Sequence, residues 1–206
     1  MLDPWSTNWV KKPLEWLAVP LARRGIQADQ VTVAGFVIGM LAIPALAFGG
    51  YKLALGLIAV NRIADGIDGV LARQNGPTDA GGFLDIVLDF IFYAAVVVGF
   101  ALADPTQNAL AAGILLFTFM GTGSSFLGFA VLAQKKGLSS PVYPTKSLYY
   151  LGGLTEGTET LAFFVVICLF PEEFPWLALI FAGACGITAG VRIVSGYHTL
   201  KDKKSL

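Results

Sequence analysis

Long apolar stretches separated by short polar breaks run along most of the chain. A helix needs about 20 mainly apolar residues to cross the hydrocarbon core of a bilayer. The pattern therefore predicts six membrane-spanning helices. They cover residues 31–50, 53–74, 82–103, 108–133, 147–170 and 175–199. Glycine and proline mark the breaks between them, for example at Gly49, at Gly76 and at Pro105.

Residues 5–24 have a different pattern, because they are too polar to cross a bilayer. They hold three of the four tryptophans of the chain and four basic residues. Aromatic and basic residues together are typical of helices that lie in the plane of the membrane interface. We therefore expect an interfacial amphipathic helix over residues 5–24, interrupted by Pro13 and Pro20.

Composition places the chain in the class of polytopic membrane proteins. It has 206 residues, of which 55% are hydrophobic and 14% are charged, and its mean hydropathy is +0.69. The expected fold is all-α, with residues 1–206 in a single membrane domain. The net charge is zero, so nothing indicates a nucleic-acid partner. The surrounding partner is instead the lipid bilayer.

Basic residues are concentrated on one side of the predicted membrane topology. They precede the first span, lie between the fourth and fifth spans, and follow the sixth. The opposite loops carry Lys52 as their lysine, together with acidic residues such as Asp104 and Glu172. Because positive residues favour cytoplasmic loops, we expect both termini in the cytoplasm. The expected location is a bacterial inner (plasma) membrane.

Four carboxylates stand at the cytoplasmic ends of the second and third predicted spans. They are Asp65, Asp68, Asp85 and Asp89. An ionisable residue at bilayer depth costs about 2.5–3.5 kcal/mol on insertion scales, so a functional site is the usual reason for one. Spacings of three and four residues put each pair on one helical face. Carboxylate oxygens favour Mg²⁺, Mn²⁺ or Ca²⁺ over zinc, and such ions neutralise a phosphate during its transfer.

A second interpretation of the carboxylates is a divalent-cation transporter in which the four aspartates form an ion-binding ring. A transport path would need further acidic residues along the membrane. Apart from Glu156 and Glu159 in the fifth predicted span, the central and outer halves of the predicted spans have none. This counts against transport.

The residues around the carboxylates resemble a known family. The chain carries the run Asp65-x-x-Asp68-Gly69-x-x-Ala72-Arg73, followed by Gly81-x-x-x-Asp85-x-x-x-Asp89. This is similar to the signature of the CDP-alcohol phosphotransferases, also called CDP-alcohol phosphatidyltransferases. The family's six-helix layout and interfacial N-terminal helix agree with the predicted spans. The resemblance therefore implies this fold for the whole chain.

Two positions depart from the family pattern. Seven residues separate Arg73 from Gly81, where the family more often has eight. Many members also carry Asn-x-x-Thr at the start of the first span. Here Thr32 matches the threonine, whereas Asp29 replaces the asparagine.

The resemblance implies a reaction and a set of roles. The four aspartates would hold two divalent cations, Mg²⁺ or Mn²⁺. Asp89 would also act as the general base for a hydroxyl acceptor, which attacks the lipid-linked phosphate of a CDP-lipid, most simply CDP-diacylglycerol, and releases CMP. The implied CDP-binding residues are Thr32, Gly69, Ala72, Arg73 and Gly81. A homodimer is also implied, and the small residues of the run 121–128 suit close helix packing between or within subunits.

Three cations are candidate ligands of the acceptor. Arg192 is a candidate for its phosphate, with a structural pair to Glu156 or Glu159 as the alternative. Lys146 and Arg62 are further candidates, with a membrane-interface anchor and an ion pair to Asp65 as their respective alternatives. The acceptor itself is left open by the sequence. Glycerol 3-phosphate, inositol phosphate, serine, a second lipid, and a CDP-linked small alcohol reacting with diacylglycerol are all compatible.

Overall fold

The computed structural model describes residues 3–138 and 153–201, with side chains from residue 12 onward. In these residues the regular elements are all helices, which confirms the all-α expectation. The helices are α1 (Asp3–Arg23), α2 (Ala28–Met40), α3 (Ala42–Ala47), α4 (Tyr51–Asn75), α5 (Asp79–Ala103), α6 (Pro105–Lys135), α7 (Gly157–Leu169) and α8 (Phe174–Lys201). A 3₁₀ turn over Pro171–Glu173 leads into α8.

Four stretches of the described residues are long and apolar enough to cross a membrane. They are Ala28–Ala47, Asp79–Ala103, Pro105–Lys135 and Pro171–Lys201. Helix α4 has the same length as α5, but the charged residues of the candidate site lower its hydropathy. Helix α7 is apolar but has 13 residues, fewer than a perpendicular crossing needs. The count of six spans therefore stays a prediction.

The first predicted span, 31–50, is two helices instead of one. Helix α2 ends at Met40 and α3 begins at Ala42, with Leu41 between them. Pro44 explains the break, because its ring lacks an amide hydrogen and clashes with the carbonyl of residue 40 in a continuous helix. The two helices together still form one candidate crossing.

The predicted span 147–170 is wrong at its start. Residues 153–156 are not helical, and α7 begins at Gly157. Glu156 caps the helix, and its backbone N–H donates to Oε2 of Glu159 at 3.2 Å, which forms a capping box. The earlier part of the span, including Lys146, lies outside the described residues.

Helix caps also explain why other helices begin at residues different from those predicted. Helix α5 begins at Asp79 instead of residue 82, because Oγ1 of Thr78 accepts a hydrogen bond from the amide of Gly81 at 3.0 Å. Helix α6 begins at Pro105, where Asp104 accepts from two backbone amides at 3.1 Å. In α1, both prolines lie inside one continuous helix, so the expected interruption is wrong.

Close packing between α2 and α4 places the first span beside the carboxylates. Gly39 of α2 lies so near α4 that a Cβ atom there would be 2.9 Å from Asn61. One turn earlier, the carbonyl of Gly35 accepts a hydrogen bond from Nδ2 of Asn61 at 3.1 Å. Thr32, one further turn back, therefore reaches the level of Asp68 on α4.

The hydrophobic core fills the other end of the helix bundle. It joins α3, the first half of α4, the second half of α5, and parts of α6, α7 and α8. Aromatic rings stack within it. The distance between ring centres is 4.7 Å for Phe100 and Phe174 and 4.4 Å for Phe163 and Phe181. This core holds the ends of α4 and α5 that are far from the carboxylates, and it leaves the carboxylate ends free to form a site.

Candidate active site

Three of the four aspartates converge between α4 and α5. One carboxylate oxygen from each of Asp65, Asp68 and Asp85 lies within 4.8 Å of the other two. Asp68 is 5% exposed, and its Oδ2 accepts a hydrogen bond from Oγ1 of Thr32 at 2.6 Å. Carboxylates this close repel one another, so a cation bound between them would stabilise the cluster. Hard oxygen donors in this arrangement fit a divalent ion such as Mg²⁺ or Mn²⁺.

Asp89 lies one turn further along α5 and contacts a different cation. Its two oxygens pair with the guanidinium of Arg62, at 2.5 Å for Nη2 and Oδ1 and at 3.3 Å for Nη1 and Oδ2. Arg62 also approaches Oδ2 of Asp65 at 3.7 Å. The structure therefore brings three predicted metal ligands together, whereas the fourth, Asp89, pairs with Arg62. That Asp89 binds metal and acts as the base stays a prediction, as does acceptor binding by Arg62.

A polar cleft of about 530 Å³ opens beside the carboxylate cluster. Four of the predicted CDP-binding residues line it, together with two of the aspartates. They are Thr32, Gly69, Ala72, Gly81, Asp68 and Asp85. Arg73 is exposed, and its Nη1 lies 3.4 Å from the place where a Cβ of Gly69 would be. The cleft is bounded by the start of α2, the end of α4 and the start of α5, so the motif residues form one continuous wall.

The two glycines at the start of α5 differ in their surroundings. A Cβ atom on Gly81 would lie 2.8 Å from Oδ1 of Asp29 and 3.0 Å from Oγ1 of Thr78. A Cβ atom on Gly82 would meet nothing within 4 Å. A side chain at position 81 would therefore require Asp29 or Thr78 to move. Asp29, the residue that departs from the family pattern, lies in the polar cleft itself.

A second, larger cavity of about 640 Å³ lies between α5, α6, α7 and α8. Its walls are mainly apolar, and Asp85 and Asp89 lie at one end. Arg192 also lines it and is 8% exposed. The Nη1 of Arg192 donates to the carbonyl of Thr122 at 3.3 Å, and its guanidinium lies 5.6 Å from the ring centre of Phe126. A buried cation therefore faces the same cavity as the predicted base.

Sequence analysis missed several residues that organise the site. Asn61 and Tyr93 both bind the guanidinium of Arg62. Asn61 is a polar neighbour of Arg62 in an apolar helix, and Tyr93 lies four residues after Asp89, so their positions carried a usable signal. Thr188 of α8 accepts hydrogen bonds from the amides of residues 154 and 155, both at 3.1 Å. Nothing in its sequence context indicates that role.

The small-residue run in α6 packs mainly inside the subunit. A Cβ on Gly121 would contact Ala189 of α8 at 3.5 Å, and one on Gly123 would contact Phe90 of α5 at 3.3 Å. A Cβ on Gly128 would meet nothing within 4 Å. The structure thus uses the first two glycines for contacts within the chain. The homodimer stays a prediction.

Comparisons with known proteins identify the family of the chain. The family model of the CDP-alcohol phosphatidyltransferases matches residues 26–189. The inner membrane protein YnjF of Escherichia coli (strain K12) is 56% identical over 202 residues, which are 98% of each chain.

Two crystal structures of the phosphatidylinositol phosphate synthase of Mycobacterium tuberculosis share the fold. The structure with CDP-DAG bound has a TM-score of 0.72 at 20% identity, and covers 94% of this chain and 98% of that one. The structure in complex with manganese and citrate has a TM-score of 0.74 at 21% identity, and covers 93% of each. The chain therefore belongs to the CDP-alcohol phosphatidyltransferase family, and it is an integral membrane transferase of substituted phosphate groups in phospholipid synthesis.

Proposed function

We propose that the chain transfers a phosphatidyl group from CDP-diacylglycerol to a hydroxyl acceptor and releases CMP. The observation that carries this proposal is the position of Asp85, which lines both the polar cleft and the apolar cavity. A nucleotide in the cleft and an acceptor in the cavity would reach the same carboxylate cluster. Two divalent ions, Mg²⁺ or Mn²⁺, would be held by the four aspartates of the motif.

The polar cleft is proposed to bind the CDP part of the donor. Gly69 and Gly81 have no side chains, so the diphosphate can approach the backbone of α4 and α5 closely. Thr32 fixes the orientation of Asp68 through its hydrogen bond. Arg73, at the edge of the cleft, can pair with a phosphate oxygen. Divalent cations held by the aspartates would neutralise the diphosphate and would make an acceptor hydroxyl easier to deprotonate.

Asp89 is proposed to take the proton of the acceptor hydroxyl. The oxygen of that hydroxyl then forms a bond to the phosphorus of the lipid-linked phosphate, and the bond between that phosphorus and the CMP oxygen breaks. Asp89 suits this role because it lines the apolar cavity next to Asp85. The proton remains on Asp89 until the product leaves.

The buried guanidinium of Arg192 supports an acceptor that carries negative charge. It lines the same cavity as Asp89 and is largely shielded from water, so it would bind an anion strongly. Inositol phosphate and glycerol 3-phosphate are acceptors of this kind. The solved structures with the same fold are of a phosphatidylinositol phosphate synthase. Lys146, a further candidate, lies outside the described residues.

The proposed location is a bacterial inner membrane, with both termini and the active site on the cytoplasmic side. The bias of basic residues supports this orientation, and the E. coli relative is called an inner membrane protein. CDP-lipids and Mg²⁺ would then be available on the side that the site faces. A single domain over residues 1–206 and a homodimer complete the proposal.

The comparisons give no support to the alternative of a cation transporter. The matching family model and the solved structures with this fold are of transferases. Metal flux into proteoliposomes that is independent of nucleotide would be the evidence in its favour.

The experiment is CMP release by the purified protein from CDP-diacylglycerol, with Mg²⁺ or Mn²⁺ and a panel of acceptors. Mass spectrometry of the lipid product identifies the acceptor that reacts. Asp68→Asn and Asp89→Asn should each abolish CMP release. Asp104→Asn is the matched control, since Asp104 caps α6 at a distance from the site and asparagine caps helices equally well. Normal CMP release by Asp68→Asn would contradict the proposal.

A further inference from the structure

Arg62 is fixed in place by contacts that do not involve the carboxylates. Its Nε and Nη2 donate to Oδ1 of Asn61 at 2.9 and 2.6 Å, and its Nη1 donates to the hydroxyl of Tyr93 at 3.0 Å. Its guanidinium lies 5.1 Å from the ring centre of Phe92 and 5.2 Å from that of Tyr93. Asn61 is itself held by the carbonyl of Gly35. The position of the arginine is therefore determined by the packing of α2, α4 and α5.

This arginine occupies both oxygens of Asp89. The two contacts, at 2.5 and 3.3 Å, form a forked pair, the strongest geometry between arginine and a carboxylate. The Arg62 side chain is 12% exposed and the Asp89 side chain is 31% exposed, so the pair is partly shielded from water. A metal ion that binds Asp89 uses one of the same two oxygens and brings a second positive charge close to the guanidinium. Arg62 and that ion therefore compete.

The space between the carboxylates is small. The central cavity is lined by Arg62 and the four aspartates, among others, and has a volume of about 10 Å³. About 10–15 Å³ is the least space that holds a single water molecule. One small ion at the three converging aspartates is therefore compatible with this space while Arg62 stays in place. A second ion shared by Asp85 and Asp89 would lie on the side of the apolar cavity, which both residues line, and would bind an oxygen that Arg62 contacts.

We propose that Arg62 is a positioning residue. It is an internal cation that holds Asp89, and it makes the two divalent ions bind in order. The first ion binds at Asp65, Asp68 and Asp85 while the pair between Arg62 and Asp89 stays intact. The second ion binds when Arg62 releases Asp89. This inference deepens the proposed function and rests on its metal site. Arg62 thereby keeps the predicted base oriented, and it reduces the net negative charge of the site, when one ion is bound.

The test is Mn²⁺ binding to the purified full-length protein in detergent without nucleotide, measured by isothermal titration calorimetry. The wild-type protein should show two sites of unequal affinity. In Arg62→Gln the ratio of the second dissociation constant to the first should fall by about tenfold or more, as expected when a unit charge that competes at contact distance is removed. Electron paramagnetic resonance should then show the broadened signal of a Mn²⁺ pair at lower metal concentration than in wild type.

Two further variants complete the design. Lys52→Gln removes the same charge from the exposed far end of α4 and should leave the ratio unchanged. Tyr93→Phe keeps Arg62 and its charge but removes one of its hydrogen bonds, so the ratio should fall by a smaller factor. If Arg62→Gln does not fold, Tyr93→Phe together with Arg62→Lys decides the question, because lysine cannot make the forked pair.

Several outcomes would overturn the inference. A weaker affinity for both ions in Arg62→Gln would make Arg62 a structural residue. An equal gain in affinity for both ions would leave the ratio unchanged and would show that Arg62 acts only through its long-range charge. Two unchanged dissociation constants would show that Arg62 competes with neither ion. These outcomes are separable from failure of the proposed function. Ordered Mn²⁺ binding without CMP release would refute the transferase reaction and leave the role of Arg62 in place.

Discussion

The polar cleft and the apolar cavity share Asp85 but are built in different ways. The cleft is formed mainly by glycines, alanines and polar side chains where three helices end or begin. The cavity is formed mainly by apolar side chains of α5, α6 and α8 and by the start of α7, with Arg192 as its buried cation. The first suits a charged, water-soluble nucleotide, and the second suits a site that excludes water. We propose that the reaction takes place where these two environments meet.

Asp85 lies at that meeting point, so its loss should affect both environments. Asp85→Asn should lower CMP release by about a hundredfold to a thousandfold, because the charge stabilisation that a bound metal provides is worth several kcal/mol. Mn²⁺ binding to the first site should be lost in the same variant. Asp104→Asn should retain both properties. A variant Asp85→Asn that loses CMP release but binds Mn²⁺ normally would show that Asp85 does not act through the metal.

The polar cleft is tested alone by a pair of adjacent glycines. Gly81→Ala places a methyl group 2.8 Å from Asp29, so the start of α5 or the side chain of Asp29 must shift into the cleft. The KM for CDP-diacylglycerol should rise by about tenfold, which corresponds to 1.4 kcal/mol. Gly82→Ala adds the same methyl group in open space and should have a much smaller effect. Equal effects of the two substitutions would mean that the tight packing at Gly81 is irrelevant to the nucleotide.

The apolar cavity is tested by its buried cation. Arg192→Gln should raise the KM for an anionic acceptor by about tenfold or more, since a hydrogen bond to a charged group contributes about 1.5–3 kcal/mol. The KM for CDP-diacylglycerol should stay near its wild-type value, and Arg192→Lys should be intermediate. Steady-state kinetics with each substrate varied in turn measures both. A change confined to the donor KM would place the nucleotide, not the acceptor, beside Arg192.

The wall of the apolar cavity depends on a buried threonine. Thr188 is 1% exposed and satisfies two backbone amides that precede α7. Thr188→Val leaves those amides without this partner, so it should lower the free energy of unfolding by about 1–3 kcal/mol. Thermal unfolding in detergent measures the change. Thr199→Val, which loses a hydrogen bond within α8, should cost much less. Equal stability losses would show that residues 153–156 are not held by Thr188.

The two environments also differ in how far the sequence predicts them. The polar cleft follows from a motif of 25 residues, because Asp65 to Asp89 lie on two consecutive helices and local spacing sets their faces. Arg192 was identified as a charged residue within an apolar predicted span. Its contacts with Thr122 and Phe126 could not be predicted, because they depend on the packing of α8 against α6, helices that are distant in sequence.

The remaining errors of the sequence prediction arose where hydropathy and backbone conformation disagree. Hydropathy runs through Pro44 and through residues 153–156, whereas the backbone breaks at both places. In the first case proline removes a helical hydrogen bond, and in the second Glu156 caps a helix that begins later. The pair between Arg62 and Asp89 was missed because the i,i+3 spacing pointed to Asp65 within the same helix. The long side chain of Arg62 instead reaches from α4 to Asp89 on α5.

The most direct test of this account is a crystal structure of the protein with CDP-diacylglycerol and Mn²⁺, with the metal located by anomalous diffraction. The account predicts a Mn²⁺ peak bound by carboxylate oxygens of Asp65, Asp68 and Asp85, with the cytidine diphosphate in the cleft beside Gly69 and Gly81. The apolar cavity next to Arg192 should remain available for an acceptor. A nucleotide in the apolar cavity, or Mn²⁺ bound away from the three aspartates, would contradict it.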